Sequence, residues 1–185
     1  MKYLIVGLGN IGNKYRNTRH NIGFQILDKL TQDTNTSFEN GRYADVAKMK
    51  YKSRNLILIK PTTLMNVSGK AVNYWMNKEH IPINNILILV DDVALPFGTL
   101  RLRAKGSSGG HNGLANIEYM ISSSQYPRLR FGIGNDFPKG QQINYVLGNW
   151  EQSELHLLPE RIDCAIEYIY SFVSIGLQRT QNIGL

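Results

Sequence analysis

Short apolar runs alternate along this chain with segments whose apolar residues recur at three- and four-residue spacing. Mostly aliphatic runs bounded by glycine, proline or polar residues have the length and composition of strands. They predict strands at Tyr3–Val6, Leu56–Ile59, Ile86–Val90 and Leu129–Ile133. The alternation of leucine and arginine in Thr99–Arg103 predicts a fifth strand that is half exposed.

Two weaker patterns predict additional strands. Tyr43–Tyr51 alternates irregularly, and Tyr145–Leu147 is a short apolar run. Polar composition predicts loops at Thr34–Arg42 and Gly134–Gln142, and the run GSSGG predicts a flexible loop at Gly106–Gly110.

Helical spacing predicts four helices. Three of them cover about Asn21–Asp33, Ser68–Lys78 and Gly113–Ser122. The last helix carries one apolar stripe, formed by Leu155, Leu158, Ile162, Ala165, Ile169 and Phe172. Ser68 or a near neighbour is expected to cap the second helix, and Pro159 suits only the first turn of the last helix or a break in it.

This order of strands and helices predicts a single α/β domain over residues 1–185, with a central mixed, twisted β-sheet flanked by helices. A hydrophobic fraction of 42% and a charged fraction of 19% are typical of a globular protein. No apolar run approaches the ~20 residues of a membrane helix, and no signal peptide is visible. A single cysteine, Cys164, fits a reducing cytosol, so we expect a cytoplasmic protein without a membrane partner.

The charge balance points to an acidic partner. The chain has 21 lysines and arginines against 14 acidic residues, a net charge of +7. A basic chain of this size often binds a polyanion, and RNA or DNA is the first candidate. A solvated basic surface without a partner would give the same net charge.

The first glycine motif, Gly7–Gly12, has the dinucleotide pattern G-x-G-x-x-G after a strand. That function requires a helix to begin inside the motif, so that its amides face a pyrophosphate. Here the polar run Asn13–Thr18 follows without apolar periodicity, and the acidic residue expected at the end of a second strand is missing. A nicotinamide-dependent oxidoreductase is therefore an alternative that the sequence disfavours.

The second glycine motif, Gly106–Gly110, matches the G-x-S-x-G elbow of serine hydrolases. An elbow needs a buried strand before it and a helix directly after it, whereas the preceding strand is amphipathic, so a mobile loop is favoured. Metal sites are poorly supported, because there is no H-E-x-x-H and no paired cysteine. Asp91 and Asp92 could bind Mg²⁺, but adjacent strand residues point to opposite faces. We expect no metal and no cofactor.

One set of polar residues remains: His20, Asp91, Asn10, Asn66 and Asn112. Each asparagine lies at the edge of a predicted element, where the loops of an α/β sheet gather near the strand ends. Taken singly, each residue is as easily a structural histidine, a cap or a turn residue. The sequence around them is what makes the set informative.

Five blocks in this order resemble the bacterial-type peptidyl-tRNA hydrolases. They read GLGN-x-G-x-x-Y-x-x-TRHN-x-GF at Gly7–Phe24, KPTTLMN-x-SGKAV at Lys60–Val72, DD-x-x-LPFG-x-LRLR at Asp91–Arg103, GGHNGL-x-x-I at Gly109–Ile117 and RLR-x-GIG at Arg128–Gly134. Together they span about the first three-quarters of the chain and are far more specific than either glycine motif alone.

The resemblance implies hydrolysis of the ester that joins a peptide to the 3′ ribose of tRNA. It implies His20 as the general base on water, Asp91 as its partner and Asn10 as a ligand of the peptide. Further substrate contacts are implied for Asn66 and Asn112, for groove walls at Tyr15, Leu64 and Met65, and for a clamp on the tRNA 5′ phosphate at Arg103 and Arg130. The partner would be the acceptor stem and 3′ end of peptidyl-tRNA, bound by a monomer.

The chain departs from the family pattern at several points. Ile11 stands where proline is usual, Val90 where histidine precedes the catalytic aspartate, and Ala94 where an acidic residue is frequent. The C-terminus is shorter than a common basic tail. A second hypothesis is a noncatalytic RNA-binding module with the same fold, although binding alone would not need the set of His20, Asp91 and Asn10.

Overall fold

The computed structural model describes residues 1–185 as one mixed β-sheet between two layers of helices. The strands are β1 (Lys2–Gly7), β2 (Glu39–Asn40), β3 (Ala44–Tyr51), β4 (Arg54–Pro61), β5 (Ile86–Asp92), β6 (Leu100–Arg103) and β7 (Arg128–Gly132). The helices are α1 (Ile22–Asp33), α2 (Ser68–Lys78), α3 (Asn112–Ile121), α4 (Gln142–Val146), α5 (Gln152–Ile175) and α6 (Leu177–Thr180). Short 3₁₀ turns lie at Asn13–Tyr15, Arg19–Asn21, Met65–Val67 and Ile83–Asn85. None of the helices has both the length and the apolar character needed to cross a bilayer.

The sheet has the strand order β2-β3-β4-β1-β5-β7-β6. Its four central strands, β4, β1, β5 and β7, are parallel, and the antiparallel strands lie toward both edges. The central strands are buried on both faces, which explains why they read as continuous apolar runs in the sequence.

Side-chain alternation along the strands divides the core into two clusters. On one face, Ile5 and its neighbours pack with α1 and α5. On the other face, Leu4 and Val6 pack with α2 and α3. The helices that precede and follow each central strand thus cover both faces of the sheet.

Strand β1 is where the chain reverses its direction of travel across the sheet. From β1 it passes to β4 on one side and then returns to β5 on the other side. Loops that leave the carboxyl ends of β1 and β5 therefore diverge and leave a crevice between them, which is where open α/β sheets bind ligands. Asp91 lies at this end of β5, and the segment from Leu8 to Asn21 follows this end of β1.

The prediction of a strand at Tyr145–Leu147 was wrong, because Tyr145 lies in helix α4 and Leu147 follows that helix. A run of three apolar residues does not distinguish the two structures. The helix is fixed by tertiary contacts: the Tyr145 hydroxyl donates to the Ile133 carbonyl at 2.6 Å, and the guanidinium of Arg19 lies 4.2 Å from the centre of the Tyr145 ring.

The last helix is longer than predicted and runs unbroken through Pro159, eight residues after Glu151 at its N-cap. Proline leaves the Leu155 carbonyl without an N–H partner, but Leu155 is 45% exposed and water can serve that carbonyl. Leu155 is consequently not part of the buried stripe, whereas Leu158 and Ile162 are. The capping box of Glu151 and Glu154 begins the helix three residues before Leu155.

Two smaller predictions also need correction. Ser68 does not cap α2 but is its first residue, and its hydroxyl donates to the Met65 carbonyl of the preceding 3₁₀ turn at 2.7 Å. The predicted loop Thr34–Arg42 contains the short strand β2, which is paired only with β3.

Candidate active site

A buried carboxylate joins two histidines at the carboxyl ends of β1 and β5. Asp91 Oδ2 lies 2.8 Å from Nδ1 of His20, and Asp91 Oδ1 lies 2.8 Å from Nε2 of His111. The side chain of Asp91 is 2% exposed, that of His20 14% and that of His111 11%. The carboxylate thus lies beneath two rings whose centres are 4.9 Å apart.

The backbone determines which nitrogen of His111 carries the proton. Nδ1 of His111 accepts from the amides of Gly113 and Leu114 at 3.1 and 3.3 Å, as the N-cap of α3. An amide can only donate, so Nδ1 is unprotonated and Nε2–H donates to Asp91. The ring of His111 is therefore neutral, and the negative charge of Asp91 is left to act on His20.

His20 holds the complementary tautomer. An ionised Asp91 accepts from Nδ1–H of His20, which leaves the lone pair of Nε2 free for a proton. Burial by itself lowers the pKa of His20, but the charge of Asp91 and the hydrogen bond to it prevail, so that this pKa lies above its ordinary 6.5. Burial by itself raises the pKa of Asp91, yet electrostatic attraction to His111 and His20, together with the hydrogen bonds to their rings, holds the pKa of this carboxyl well below its usual range.

The two neighbours of His20 in sequence anchor its backbone. Arg19 is buried, and its guanidinium donates to Glu154 at 2.9 Å and to the Tyr145 carbonyl at 3.3 Å. The Asn21 amide accepts from the backbone N–H of Asn10 at 2.8 Å and donates to the Asn10 carbonyl at 2.9 Å. His20 is thus held between α4 and α5 on one side and the glycine turn on the other.

The glycine motif brings backbones together, and no helix begins inside it. A Cβ on Gly7 would lie 2.3 Å from the Gly23 carbonyl oxygen, and a Cβ on Gly23 would lie 2.4 Å from the Leu8 nitrogen. A Cβ on Gly9 would meet the Phe24 ring at 2.7 Å. These contacts seat α1 directly on β1, which gives the motif a packing role that does not involve a pyrophosphate.

Asn10 connects the first sequence block to the second. Its side-chain oxygen accepts from the backbone N–H of Met65 at 3.0 Å, which leaves its NH₂ group as a donor. Met65 is only 6% exposed, so its side chain supports this turn and does not form an open groove wall. Leu64 is 63% exposed, Asn66 is exposed and Tyr15 is half buried, so these three side chains can meet a ligand.

A cavity of about 630 Å³ opens above the histidines. Of the residues predicted from the sequence, His20, Asp91, Asn112 and Arg130 line it. The backbone segment Ser108–Gly110, within the second glycine motif, forms part of its wall. Asn10, Tyr15, Leu64, Met65, Asn66 and Arg103 lie outside this lining.

The two predicted phosphate ligands share one face of the β6–β7 pair. Arg101 is in register with Arg130, and Arg103 with Arg128, so all four arginines project to the same side. Arg130 lies 3.5 Å from Asp92 and donates to the Ser107 carbonyl at 3.3 Å, whereas Arg103 is exposed and forms no ion pair. Asp92 consequently serves Arg130, and Asp91 alone enters the histidine cluster.

His20, Asp91 and His111 are the one group of side chains with the composition of a metal site, and their ligand atoms lie within 4.8 Å of one another. Each carboxylate oxygen, however, already accepts from a ring nitrogen, and Nδ1 of His111 accepts from the backbone. The geometry is that of a hydrogen-bonded relay ending at Nε2 of His20, which suits proton transfer.

Three residues that shape this site were not predicted from the sequence: Arg19, Asn21 and His111. All three stand inside the motif blocks, next to His20 or Asn112. Periodicity could not single them out, because their partners, Glu154, Asn10 and Asp91, are distant in sequence.

Comparison with known proteins identifies relatives over nearly the whole chain. The family model described as peptidyl-tRNA hydrolase matches residues 4–183. A peptidyl-tRNA hydrolase of Phocaeicola vulgatus is 57% identical over 98% of this chain and 97% of its own length, and one of a Thermoanaerobacter species is 37% identical over 97% of each chain. A crystal structure of peptidyl-tRNA hydrolase from Acinetobacter baumannii, 32% identical, superimposes with a TM-score of 0.91 and covers 97% of this chain and 92% of its own.

Proposed function

The chain belongs to the peptidyl-tRNA hydrolase family and is an esterase that acts on peptidyl-tRNA, and we propose that His20 is its general base. The observation that carries this proposal is the relay from His111 through Asp91 to His20, which ends in a free Nε2 beside a cavity. An ester of this kind is activated enough for water to attack it directly, so no covalent intermediate with the enzyme is needed.

In the proposed reaction, Nε2 of His20 takes a proton from water while the water oxygen bonds to the ester carbonyl carbon. Asp91 accepts from Nδ1–H and stabilises the imidazolium that forms. When the tetrahedral intermediate collapses, the bond to the ribose oxygen breaks and Nε2–H returns the proton to that oxygen. The products are tRNA with a free 3′ hydroxyl and a peptide with a free carboxyl group, which ionises and releases the second proton of the water to solvent.

The amide side chains supply the polar contacts of this scheme. The free NH₂ of Asn10 is proposed to donate to a peptide carbonyl, which distinguishes a peptide from a free amino group. Asn112, in the cavity lining, is proposed to donate to the carbonyl oxygen as charge develops on it, and Asn66 to hold the substrate beside it. The exposed Leu64 and the half-buried Tyr15 are the proposed groove walls, and the backbone of Met65 fixes Asn10.

The tRNA is proposed to bind through its acceptor stem and 3′ end. Arg103 and Arg130 have no carboxylate closer than 3.5 Å and project from one face, which fits contact with the 5′ phosphate. We further propose that the enzyme acts in the cytoplasm as a monomer.

The test is cleavage of N-acetyl-aminoacyl-tRNA by the wild-type protein and by His20→Ala. The variant should lose between about 10²- and 10⁴-fold in kcat, the scale of general-base catalysis. His156→Ala, at an exposed position on α5, is the matched control and should keep full activity. Near wild-type turnover by a folded His20→Ala protein would refute the assignment, and tRNA binding without cleavage by the wild-type protein would favour a noncatalytic RNA-binding module.

A further inference from the structure

A second cleft, of about 460 Å³, lies outside the catalytic cavity where β3 begins and α2 runs past it. Five of its lining residues form what we call the cationic cleft: Arg42, Tyr43, Lys70, Tyr74 and Lys78. Its cations lie on aromatic rings, with Lys70 4.6 Å and Arg42 5.0 Å from the centre of the Tyr43 ring. Arg42 and Lys78 lie 5.2 and 5.6 Å from the centre of the Tyr74 ring.

These three cations lack an acidic partner. Every ion pair of the protein involves other residues, so no carboxylate lies within 4.0 Å of Arg42, Lys70 or Lys78. Lys2 and Lys48, at the opposite end of the sheet, by contrast share the carboxylate of Glu79 as a partner. The cationic cleft is therefore charged to receive an anion.

One residue of the cleft, Tyr43, has an unfavourable backbone conformation. Tyr43 has a φ of +64°, which residues with a Cβ rarely adopt. The indole N–H of Trp75 donates to the Arg42 carbonyl at 2.8 Å, and the amide of Thr62 donates to the Tyr43 carbonyl at 2.9 Å. These contacts with α2 and the end of β4 fix the Tyr43 ring at 5.6 Å from that of Tyr74, nearly perpendicular to it.

The cleft lies at the same end of the sheet as the catalytic site. Lys70 and Tyr74 lie four residues apart on α2, a step of ~6 Å along the helix, and Asn66 lies in the 3₁₀ turn that precedes α2. The start of β3 pairs with Pro61 at the end of β4. This is the end of the sheet at which β1 also finishes, just before Asn10. Three strand spacings, or ~14 Å, separate β3 from β5, which carries Asp91.

The proposed phosphate ligands lie on the other side of the site. Arg103 and Arg130 project from β6 and β7, which follow β5 in the direction away from β3. If tRNA enters from that side, as the proposed function requires, the peptide leaves the ester toward β4 and α2. Each of the two tyrosine rings already has two cations 4.6–5.6 Å from its centre, so a nucleobase that stacked on either ring would compete with them.

We propose that the cationic cleft binds acidic side chains of the peptide upstream of the ester, an inference that rests on the proposed function. An extended peptide advances ~3.3 Å per residue, so ~14 Å places the contact at about the fourth residue counted from the ester, within the third to sixth. Substrates whose peptides carry glutamate or aspartate there are bound more tightly than neutral ones. Peptides too short to reach the cleft are unaffected.

The experiment compares three substrates on one tRNA. The first carries an N-acetylated hexapeptide with glutamate at its third to sixth residues from the ester, the second has glutamine at the same residues, and the third is N-acetyl-aminoacyl-tRNA. For the wild-type enzyme, kcat/KM should be about 3- to 10-fold higher with glutamate than with glutamine, through KM, and the ratio should fall with added salt.

The double variant Arg42→Gln and Lys70→Gln should bring this ratio to about one and leave cleavage of N-acetyl-aminoacyl-tRNA within about twofold of wild type. Lys52→Gln is the matched control, since Lys52 also lies over a tyrosine ring, at 5.4 Å, but at the far end of β3. It should keep the wild-type ratio.

Two results would overturn the proposal. One is a glutamate-to-glutamine ratio of one in the wild-type enzyme. The other is a double variant that loses kcat/KM equally for all three substrates, which would assign the cleft to tRNA. If the wild-type protein cleaves none of the substrates, the proposed function fails by itself, and the cleft is then judged by anisotropy: His20→Ala protein must bind the glutamate peptidyl-tRNA more tightly than the glutamine one.

Discussion

At the scale of single residues, the division of labour between His20 and His111 depends on hydrogen bonds from the backbone. His111 caps α3 through Nδ1, so protonation there would break two hydrogen bonds to amides. Asp91 therefore meets one fixed neutral donor and one ring free to change charge. This arrangement holds the carboxylate in place without neutralising it, and concentrates its effect on the pKa of His20.

The acid side of the pH–rate profile follows from this arrangement. Only neutral His20 can accept a proton, so kcat/KM should fall as the pH drops through the pKa of His20, above 6.5. Asp91→Asn removes the charge that raises this pKa and leaves the burial that lowers it. The variant should have a lower maximal rate and an acid limb displaced to lower pH, both measured in one pH–rate series.

The contribution of this pair to stability changes with pH in the opposite direction to activity, and it supplies the control. Because folding raises the pKa of His20, the pair with Asp91 stabilises the fold fully below the unfolded value of 6.5, and this stabilisation is lost as the pH rises through the folded value. The pH range in which activity is lost is therefore the range in which the pair of His20 and Asp91 stabilises the fold most. Circular dichroism at each pH should show an intact fold, and an acid limb that Asp91→Asn leaves in place would exclude this origin.

At the scale of elements, the contact between β1 and α1 carries the catalytic turn. Gly23, in the first turn of α1, lies so close to β1 and β5 that an added Cβ would be 2.4 Å from the Leu8 nitrogen and 2.7 Å from the Leu89 carbonyl oxygen. These neighbours are backbone atoms and cannot rotate away. The spacing of α1 from the sheet, and with it the position of His20, is therefore set by glycine.

Gly23→Ala should lower the free energy of unfolding by about 1–3 kcal/mol or more, the scale of overpacking in a closed core, despite the better helix propensity of alanine. Urea unfolding measures the change. Gly184→Ala is the matched control, since nothing lies within 4 Å of the added Cβ there. Equal stability of the two variants would mean that the contact relaxes freely.

At the scale of the whole molecule, the net charge of +7 is distributed over several surfaces with different environments. Lys2 and Lys48 share Glu79 as a partner, and Arg19 is paired with Glu154, so the protein itself offsets part of the charge of these three cations. The catalytic cavity is flanked on one side by the arginines of β6 and β7 and on the other by the cationic cleft, which lie toward opposite edges of the sheet. A long polyanionic substrate with a peptide at one end fits this distribution.

Replacing Arg103 and Arg130 together by alanine should weaken tRNA binding and flatten its salt dependence. If each arginine contacts a phosphate, the slope of log K against log salt should decrease by about two in magnitude. Fluorescence titration of tRNA over a range of salt concentrations measures the slope. Lys52→Ala, far from the site, should leave it intact, and an unchanged slope in the double variant would make Arg103 and Arg130 ordinary solvated residues.

The fold was predicted well wherever one signal dominated, as in the apolar central strands and the helices with a clear stripe. It was predicted wrongly where tertiary contacts decide between backbone conformations of similar local free energy. Tyr145 is helical because its carbonyl accepts from Arg19 and its hydroxyl donates to the Ile133 carbonyl. Pro159 is tolerated because it faces solvent. The position of Met65, buried beneath its turn, was likewise invisible, because burial of a loop residue depends on what packs against it.

The sequence by itself determined the α/β class, the family and the chemically capable residues, because these depend on residue types and on their order. Only the tertiary structure decided that Asp91 lies between His20 and His111, that Asn10 is oriented by Met65, and that a cationic cleft forms where β3 begins beside α2. Each of these contacts joins residues distant in the chain. Their geometry is set by the order and direction of the strands, which the local pattern of residues does not encode.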